Sequence, residues 1–465
     1  MHQDSQKLSV LEKTGYSLGD CAANFVFQTQ IMFLMGFYTD VFGIAASTAG
    51  YIFLISRLWD AFNDPMMGAL ADRTDTRWGK FRPWILITAI PFAILFVLCY
   101  TVPNLSTTGK IIWAVVTYNL LMMIYTANNI PYSALTGVMT GDRAERGSLV
   151  TWRFVFAMIA QFVVQTYTLN IVASFGGQAD PAGAWQKTIA LWAIIAVAFF
   201  VVTFATTQER VKPDPQIKSS LRGDVADLFG NRNWVALAVA TVFIFICLSM
   251  RGGSTYYYFQ YYIREGEVFG RAPSWQDLFG WFNGLGTLTT IAGVLLSKPL
   301  AMRFGNRDVF RVSLFLTAIC MAAFYFLPPT ALLAILLLQM LLQFVYGTTI
   351  PLLWAMMADV ADFTEWKTGR RATAMTFALT VFALKLGLSL GGALQGWLLD
   401  YYQYAPNAAQ SERTMEGIRL LMSVFPAISF FLGVGALLYY KIGKATELEM
   451  HEELTERRRR LHATL

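Results

Sequence analysis

The chain has 465 residues, of which 55% are hydrophobic, 15% aromatic and 14% charged, and its formal net charge is +6. Soluble domains carry about 25% charged residues, so this composition, with a mean hydropathy of +0.46, excludes an ordinary soluble globule and points to a chain that crosses a membrane many times. The basic balance does not point to nucleic acid, because Lys and Arg fall mainly in short loops between apolar stretches, as cytoplasmic loops do.

Cys21, Cys99, Cys247 and Cys320 are scattered through apolar stretches without C-x-x-C spacing. They read as small buried side chains, with no disulfide framework or metal site. His2, His451 and His462 lie in the terminal tails, which argues against a Ser-His-Asp site or a His-ligated metal inside the membrane. The sequence therefore predicts neither an enzyme nor a resident cofactor.

A membrane-spanning helix needs about 20 apolar residues. Apolar runs between polar breaks lie near 15–42, 46–70, 82–102, 111–138, 150–174, 185–206, 234–262, 276–298, 307–327, 331–358, 372–399 and 416–441. The expectation is an all-α integral membrane protein of twelve spans. The first run holds Asp20 and Asn24 and is too long and too polar for a cleaved signal peptide.

Loops after even-numbered spans carry Arg73, Arg77, Lys80 and Arg82; Arg143 and Arg146; Arg210, Lys212, Lys218, Arg222 and Arg232; Lys298, Arg303, Arg307 and Arg311; Lys367, Arg370 and Arg371. The opposite loops hold only Lys110, Lys187, Arg264, Arg271 and Arg413. This bias predicts that both termini are cytoplasmic. The basic tail with Arg457 to Arg460 fits the same side and suits anionic headgroups better than nucleic acid.

The polar stretch from Gln208 to Asn233, with Pro213 and Pro215, divides the spans into six plus six. The expected division is a bundle at 1–207, a linker at 208–233, a second bundle at 234–445 and a basic tail at 446–465. The halves echo each other: Ile130-Pro131 opens a stretch reaching Asp142 and Arg146, and Ile350-Pro351 opens one reaching Asp362 and Arg370. Paired bundles of this kind hold solute near the bilayer midplane.

Several polar groups sit inside apolar runs. In the second, Asp60 and Asp64 lie one helical turn apart, with Arg57 a turn above Asp60 and Asn63 beside them. This set describes either a cation or proton site or an internal ion pair with Arg57; ionisable groups within spans are usually functional, which favours the first. Asp20, Asn24 and Gln28 form a polar stripe on the first helix. On the fourth, Thr126, Asn129 and Ser133 share a face with Asn128 and Tyr132 alongside, and the fifth enters with Trp152-Arg153. Four helices thus bring hydrogen-bonding groups to a similar depth, the alternative being that each merely glues neighbouring helices together.

In the second half Lys385 stands mid-span, and Arg251 precedes Gly252-Gly253 and the aromatic run from Tyr256 to Tyr262. Aromatic faces beside amides and charged donors suit a pyranose ring; at the end of a span they also suit an interfacial belt. The two cations either pair with carboxylates or hold an acid group on the solute. The loop holding Asp72, Arg73, Arg77 and Lys80 can cap helix ends and pair across a bundle, a charge network that Arg146, Asp359 and Asp362 would join.

Asp60-Ala-Phe-Asn63-Asp64-Pro65 running into Arg77-Trp78-Gly79-Lys80-Phe81-Arg82-Pro83 resembles the glycoside–pentoside–hexuronide:cation symporters, a branch of the major facilitator fold. Tyr38-Thr39-Asp40-Val41, Asn129-Ile130-Pro131-Tyr132, Ala358-Asp359 through Asp362 to Glu365, and Lys385 belong to the same resemblance, which spans nearly the whole chain. It implies a cation site at Asp60, Asn63, Asp64 and Thr126. It implies a sugar site on the helix-one face with Asp20 and Asn24, at Asn129 with Tyr132, and at Arg153, with Lys385 as the polar link from helix eleven. The stretch from Arg251 to Tyr258 looks most like xyloside and glucuronide-type members. Where some members grip galactoside hydroxyls with carboxylates on helices one and four, Asn24 and Asn129 stand here, and Ser133 takes the place of a Trp. The expected activity is symport of a glycoside with H+ or Na+ by alternating access, in a bacterial inner membrane and as a functional monomer. The alternative is an exporter or antiporter on the same scaffold.

Overall fold

Backbone amides in a bilayer have no water to bond, and a helix satisfies them within its own segment. The computed structural model is accordingly built of helices, with an isolated β-bridge between Thr76 and Gly79 among the described residues. It describes residues 7–140, 142–211, 229–263, 268, 270, 272–368 and 373–463. Of the residues named from sequence, His2, Lys212, Pro213, Pro215, Lys218, Arg222, Arg264, Arg271, Arg370 and Arg371 lie outside this description, as do the side chains of Arg57, Asp60, Asp72, Arg143, His451, Arg457 to Arg460 and His462.

The first helix, α1 (Val10–Gly36), opens on a capping box in which Ser9 and Glu12 satisfy each other's backbone N–H. It runs into a π-helical segment, Phe37–Phe42, that stops at Gly43, whose φ of 81° suits a residue without a Cβ. There follow α2 (Ala46–Arg73), α3 (Arg82–Cys99), α4 (Thr107–Met139), α5 (Arg143–Ser174) and α6 (Pro181–Thr206). Beyond the linker come α7 (Arg232–Tyr257) with a π-helical end at Tyr258–Tyr262, α8 (Trp275–Phe304), α9 (Asn306–Ala323), α10 (Leu332–Gly347), α11 (Thr349–Thr368), α12 (Thr373–Tyr401), α13 (Glu412–Met422), α14 (Val424–Leu437) and α15 (Lys444–Ala463).

Among the described residues, ten helical stretches are long and apolar enough to cross a membrane, α10–α11 and α13–α14 each counting as one. The protein is therefore an all-α, multi-pass membrane bundle. Helices α1 and α2 have 27 and 28 residues; the apolar start of α2, Ala46–Ser56, is a shorter stretch.

The chain forms two compact units. The first comprises residues 1–216, 274–284 and 396–414. In it α1 packs on α5 and α6, α3 on α4 and α6, and α2 on α4. The rings of Phe37 and Tyr100 meet at 4.8 Å and those of Phe33 and Trp185 at 5.7 Å. Asn170 donates to Asp277 at 3.1 Å, and Asp40 accepts from the Tyr404 hydroxyl. Helices α3 and α6 are joined near both ends. The Arg82 guanidinium donates to the Phe204 carbonyl at 2.7 Å, and the Gln186 amide to the Thr101 hydroxyl at 2.9 Å.

The second unit comprises residues 217–273, 285–395 and 415–465. Here α14 packs on both α7 and α9. Gly387 and Gly391 of α12 lie against α7 so closely that an added Cβ would stand 2.5 and 2.4 Å from the Val242 and Ile246 carbonyl oxygens. Small residues four apart are the usual device for such approach in a membrane. Arg311 of α9 donates from Nε to the Leu437 carbonyl at 3.0 Å and from its guanidinium to that of Tyr440 at 2.8 Å, at the end of α14.

The tail is a docked helix. Met450 and Leu454 of α15 are buried, Lys444 Nζ donates to the Met302 carbonyl at 2.9 Å, and the Trp366 indole donates to Glu453 at 2.8 Å. Glu447 faces Asp359 on α11, Arg307 and Asp308 on α9 and Lys444 on its own helix. Its Oε1 is buried with no hydrogen-bond partner among the described residues. Burial, reinforced by the Asp359 charge, pushes its carboxyl up to about 7 from an ordinary 4.5. A raised folded-state value favours the docked helix while Glu447 is protonated; that stability is full below the ordinary value and is lost as pH climbs through about 7. Hydrogen exchange along α15 should therefore accelerate between pH 5.5 and pH 8 beyond the chemical rate, roughly two pH units spanning this titration. Glu447→Gln should remove that excess.

Candidate functional site

The polar stripe of α1 faces α5. Arg153 Nε lies 3.0 Å from Asp20 Oδ2, and its Nη2 donates to Oδ1 at 3.3 Å, so the guanidinium grips the carboxylate with two nitrogens. The guanidinium also stands over the Tyr132 ring of α4 at 5.1 Å. Tyr132 stacks on Tyr16 with ring centroids 4.6 Å apart, and its hydroxyl donates to the Tyr16 carbonyl at 2.7 Å. Asp20 and Tyr132 are buried. A lone carboxylate in this setting would be costly, and the paired guanidinium removes that cost.

One turn along α1, Asn24 is half-buried and donates back to the Asp20 carbonyl at 2.9 Å. A turn further, Gln28 accepts from Gln165 at 2.9 Å and donates to Gln161 at 3.5 Å, both on α5. Sequence reading did not single out Gln161 and Gln165. The signal was there: with Arg153 they fall at four-residue steps on α5, a stripe facing the Asp20–Asn24–Gln28 stripe of α1.

Helices α2 and α4 contribute the second cluster. Thr126 is buried and donates to Asp64 Oδ1 at 3.1 Å. The Asn63 amide nitrogen is buried with no partner among the described residues. Buried amides are normally bonded, and an amide's two ends have the same shape, so this position can offer an oxygen to a bound cation. Asp60 belongs to the same helix, but its side chain lies outside the described residues. Asn128 is turned away onto the Thr88 hydroxyl at 2.8 Å. Asn129 is half-buried, and among the described residues no hydrogen bond holds its amide; Ser133 is exposed.

In the second unit Arg251 is buried within the helix packing. Its guanidinium donates to Gln339 at 2.9 Å and to the Met422 carbonyl at 3.3 Å, and it covers the Phe324 ring at 5.0 Å. Lys385 is half-buried on α12.

The loop charges take partners that sequence did not suggest. The Glu209 carboxylate, beyond α6, accepts from the backbone N–H of Lys80, Phe81 and Arg82 at 2.8, 2.7 and 3.0 Å, capping α3. Gly79, at φ 108°, makes room: an added Cβ would lie 2.6 Å from that carboxyl group. Arg146 donates to the Thr140 and Gly137 carbonyls at 2.8 and 3.1 Å, closing the end of α4. Arg73 and Arg77 are exposed, Arg77 lying 4.7 Å over the Trp78 ring, and Lys80 stands 5.2 Å from the Phe81 ring. Asp359 accepts from Asn306 at 3.0 Å, Asp362 is half-buried, and the Asp72 side chain lies outside the described residues. Ion pairs seen among the described residues of the first unit near its loops include Lys13–Glu145 at 2.8 Å and Arg210 with Glu12. Among the described residues no three His, Cys, Asp or Glu side chains gather into a metal site.

A multi-pass helical bundle with a polar face buried between four of its helices defines a membrane transporter, not an enzyme. A sequence model of the family described as MFS/sugar transport protein matches residues 15–444. The chain belongs to that family. It is 38% identical over 463 residues to the inner membrane symporter YicJ of Escherichia coli (strain K12), covering 98% of this chain and 97% of that one. It is 34% identical over 444 residues to the isoprimeverose transporter of Lactiplantibacillus pentosus, covering 93% and 89%. A crystal structure of the nucleoside transporter NupG shares the fold with a TM-score of 0.65 at 13% identity, covering 91% of this chain and 99% of that one.

Two outcomes follow from this geometry. Arg153→Gln should strand the Asp20 carboxylate and lower unfolding stability by roughly 2–3 kcal/mol, below the range for a fully enclosed pair because Arg153 stays 26% exposed. Arg153→Lys should recover only part of this, since a point charge replaces the two-nitrogen grip; thermal unfolding in detergent measures both. Glu209→Ala removes the acceptor of three N–H groups and should cost about 1–3 kcal/mol, while Gly79→Ala should be destabilising through its strained φ and its collision with Glu209.

Proposed function

We propose that this protein is a secondary active symporter that carries a small sugar-like solute, a glycoside, into a bacterial cell across the inner membrane together with H+ or Na+. The observation that carries the reading is the assembly, within one unit, of Asp20–Arg153, Asn24 and Gln28 on α1 and α5 beside Asp64–Thr126 and Asn129 on α2 and α4. In this reading the chain has twelve spans in two six-helix halves joined at 208–233, both termini cytoplasmic, and acts as a monomer.

The cation binds at Asp60, Asn63, Asp64 and Thr126, and the sugar at the α1 stripe, Asn129 and Arg153. Cation binding offsets repulsion between the two carboxylates and favours the arrangement of α1, α2, α4 and α5 that holds sugar. That is a coupling free energy, and sugar must tighten the cation by the same factor. Asp20, Arg153 and Tyr132 form a prebuilt wall: the ion pair fixes the guanidinium over the ring, leaving its outer N–H groups for hydroxyls. Lys385 serves coupling. Arg251 is engaged by Gln339 and the Met422 carbonyl, which supports a neutral glycoside over a uronate.

Asp64→Asn should abolish accumulation of sugar in energised vesicles, with sugar exchange between the two sides retained. Uptake against a gradient at the wild-type level would overturn the cation assignment. Asn129→Ala should weaken sugar binding roughly 2- to 12-fold, the worth of one hydrogen bond to a neutral group, with unfolding temperature unchanged.

A further inference from the structure

The second unit holds a cleft whose lining residues belong to none of the sites assigned above. A cleft of about 370 Å³ opens between the start of α7, the end of α11 and the chain beyond α14, lined by Arg232, Asn233, Thr364, Lys367, Tyr439 and Lys441 among others. Its floor is built. Asn231 accepts from the backbone N–H of Asn233 and Trp234, at 3.0 and 3.4 Å, and its amide donates to Thr364 at 3.0 Å. Asn233 in turn accepts from the Lys441 backbone N–H at 2.7 Å, tying the third wall to the first. The rim carries three cations, Arg232, Lys367 and Lys441, all exposed, and none makes an ion pair among the described residues. Lys367 rests its ammonium 3.7 Å over the Trp366 ring, which restrains it at the mouth. The start of α7 adds the positive end of a helix dipole.

Three cations on the rim of one cleft, with no ion pair among the described residues, concentrate positive charge where an anion can meet it. We infer that this cleft is a binding site for the phosphate of an anionic phospholipid headgroup. The lipid, and not free phosphate, is the source because of where the cleft lies. The stretches able to cross a membrane begin at Arg232 and end at Lys367 and at Leu437, so all three walls are span termini. Large apolar side chains stand exposed beside the cations, Phe229 at 62%, Leu438 at 68% and Tyr439 at 72%, as befits a surface that meets acyl chains next to headgroups. Each Lys or Arg near an anionic leaflet contributes about a fivefold gain in affinity, and three around one phosphate give a site filled in an ordinary bacterial bilayer.

The test uses the full-length protein in neutral detergent, titrated with phosphatidylglycerol, with phosphatidylcholine and with inorganic phosphate, read by thermal unfolding and by native mass spectrometry. Phosphatidylglycerol should raise the unfolding temperature saturably and remain bound in the spectrum. Arg232→Gln with Lys441→Gln should weaken it by about 25-fold, whereas Lys187→Gln, in the first unit, should leave it unchanged. The charge-keeping pair Arg232→Lys with Lys441→Arg should bind within a few-fold of wild type, which guards against reading a folding defect as lost binding. Equal protection by phosphatidylcholine, or wild-type affinity in the double glutamine variant, overturns the site. Equal protection by inorganic phosphate overturns the lipid as its occupant.

Discussion

The cost of burying charge in an apolar bundle governs how the first unit is put together. Asp20 is affordable on α1 only because Arg153 on α5 reaches it with two nitrogens, and Arg153 in turn lies over a Tyr132 ring held by stacking on Tyr16. One ion pair therefore sets the rotation of α1 against α5 and ties α4 to both. The Gln28–Gln161–Gln165 contacts continue the same seam with neutral groups. Among the described residues, Asn63 on α2 is one of several buried amides with an unpartnered atom, Gln30 on α1 being another, and no hydrogen bond is found for the half-buried Asn129 amide on α4. In a medium where unsatisfied polar groups are expensive, Asn63 and Asn129 read as places kept for something that comes and goes.

The same rule shapes the helix ends. A helix leaves N–H groups unpaired at its start and carbonyls at its finish. Glu209 answers the first need for α3 with a single carboxylate, and Arg146 answers the second for α4. The two units repeat one solution: Arg82 of α3 bonds carbonyl oxygen near the end of α6, and Arg311 of α9 does so at the end of α14. Of the charges that sequence gathers into a loop network, Arg146 is seen on backbone carbonyls, while Asp359 takes the Asn306 amide.

Much of the bundle was legible beforehand, because apolar runs and Lys/Arg placement are local properties. The twelve runs read from sequence overlay the helices, ten of which meet the length and apolarity of a span among the described residues. The α1 stripe and the Thr126–Asp64 pairing were foreshadowed by four-residue spacing and by polar groups at similar depth. What could not be read was which charge meets which. Glu209 and Lys80 are 129 residues apart, Glu12 and Arg210 are 198 apart, and nothing in either neighbourhood names its partner. Arg251 shows the converse: its sequence setting beside Gly252-Gly253 and an aromatic run gives no hint of Gln339 or of the Met422 carbonyl. A guanidinium that loses water when a helix bundle closes takes whatever oxygen the packing supplies.

The double fastening of α3 to α6 has a mechanical side. Arg82 holds one end on the Phe204 carbonyl and Gln186 holds the other on Thr101, with the Tyr100 and Trp185 rings stacked 5.8 Å apart nearby. From the Gln186–Thr101 fastening inward, the two helices line an open apolar groove of about 460 Å³ along Ile94, Val97, Ala190 and Ile194. Two hydrogen bonds, one near each end, oppose sliding of α3 along α6 by about 1 kcal/mol each. The polar residues of the first unit stand instead on α1, α2, α4 and α5.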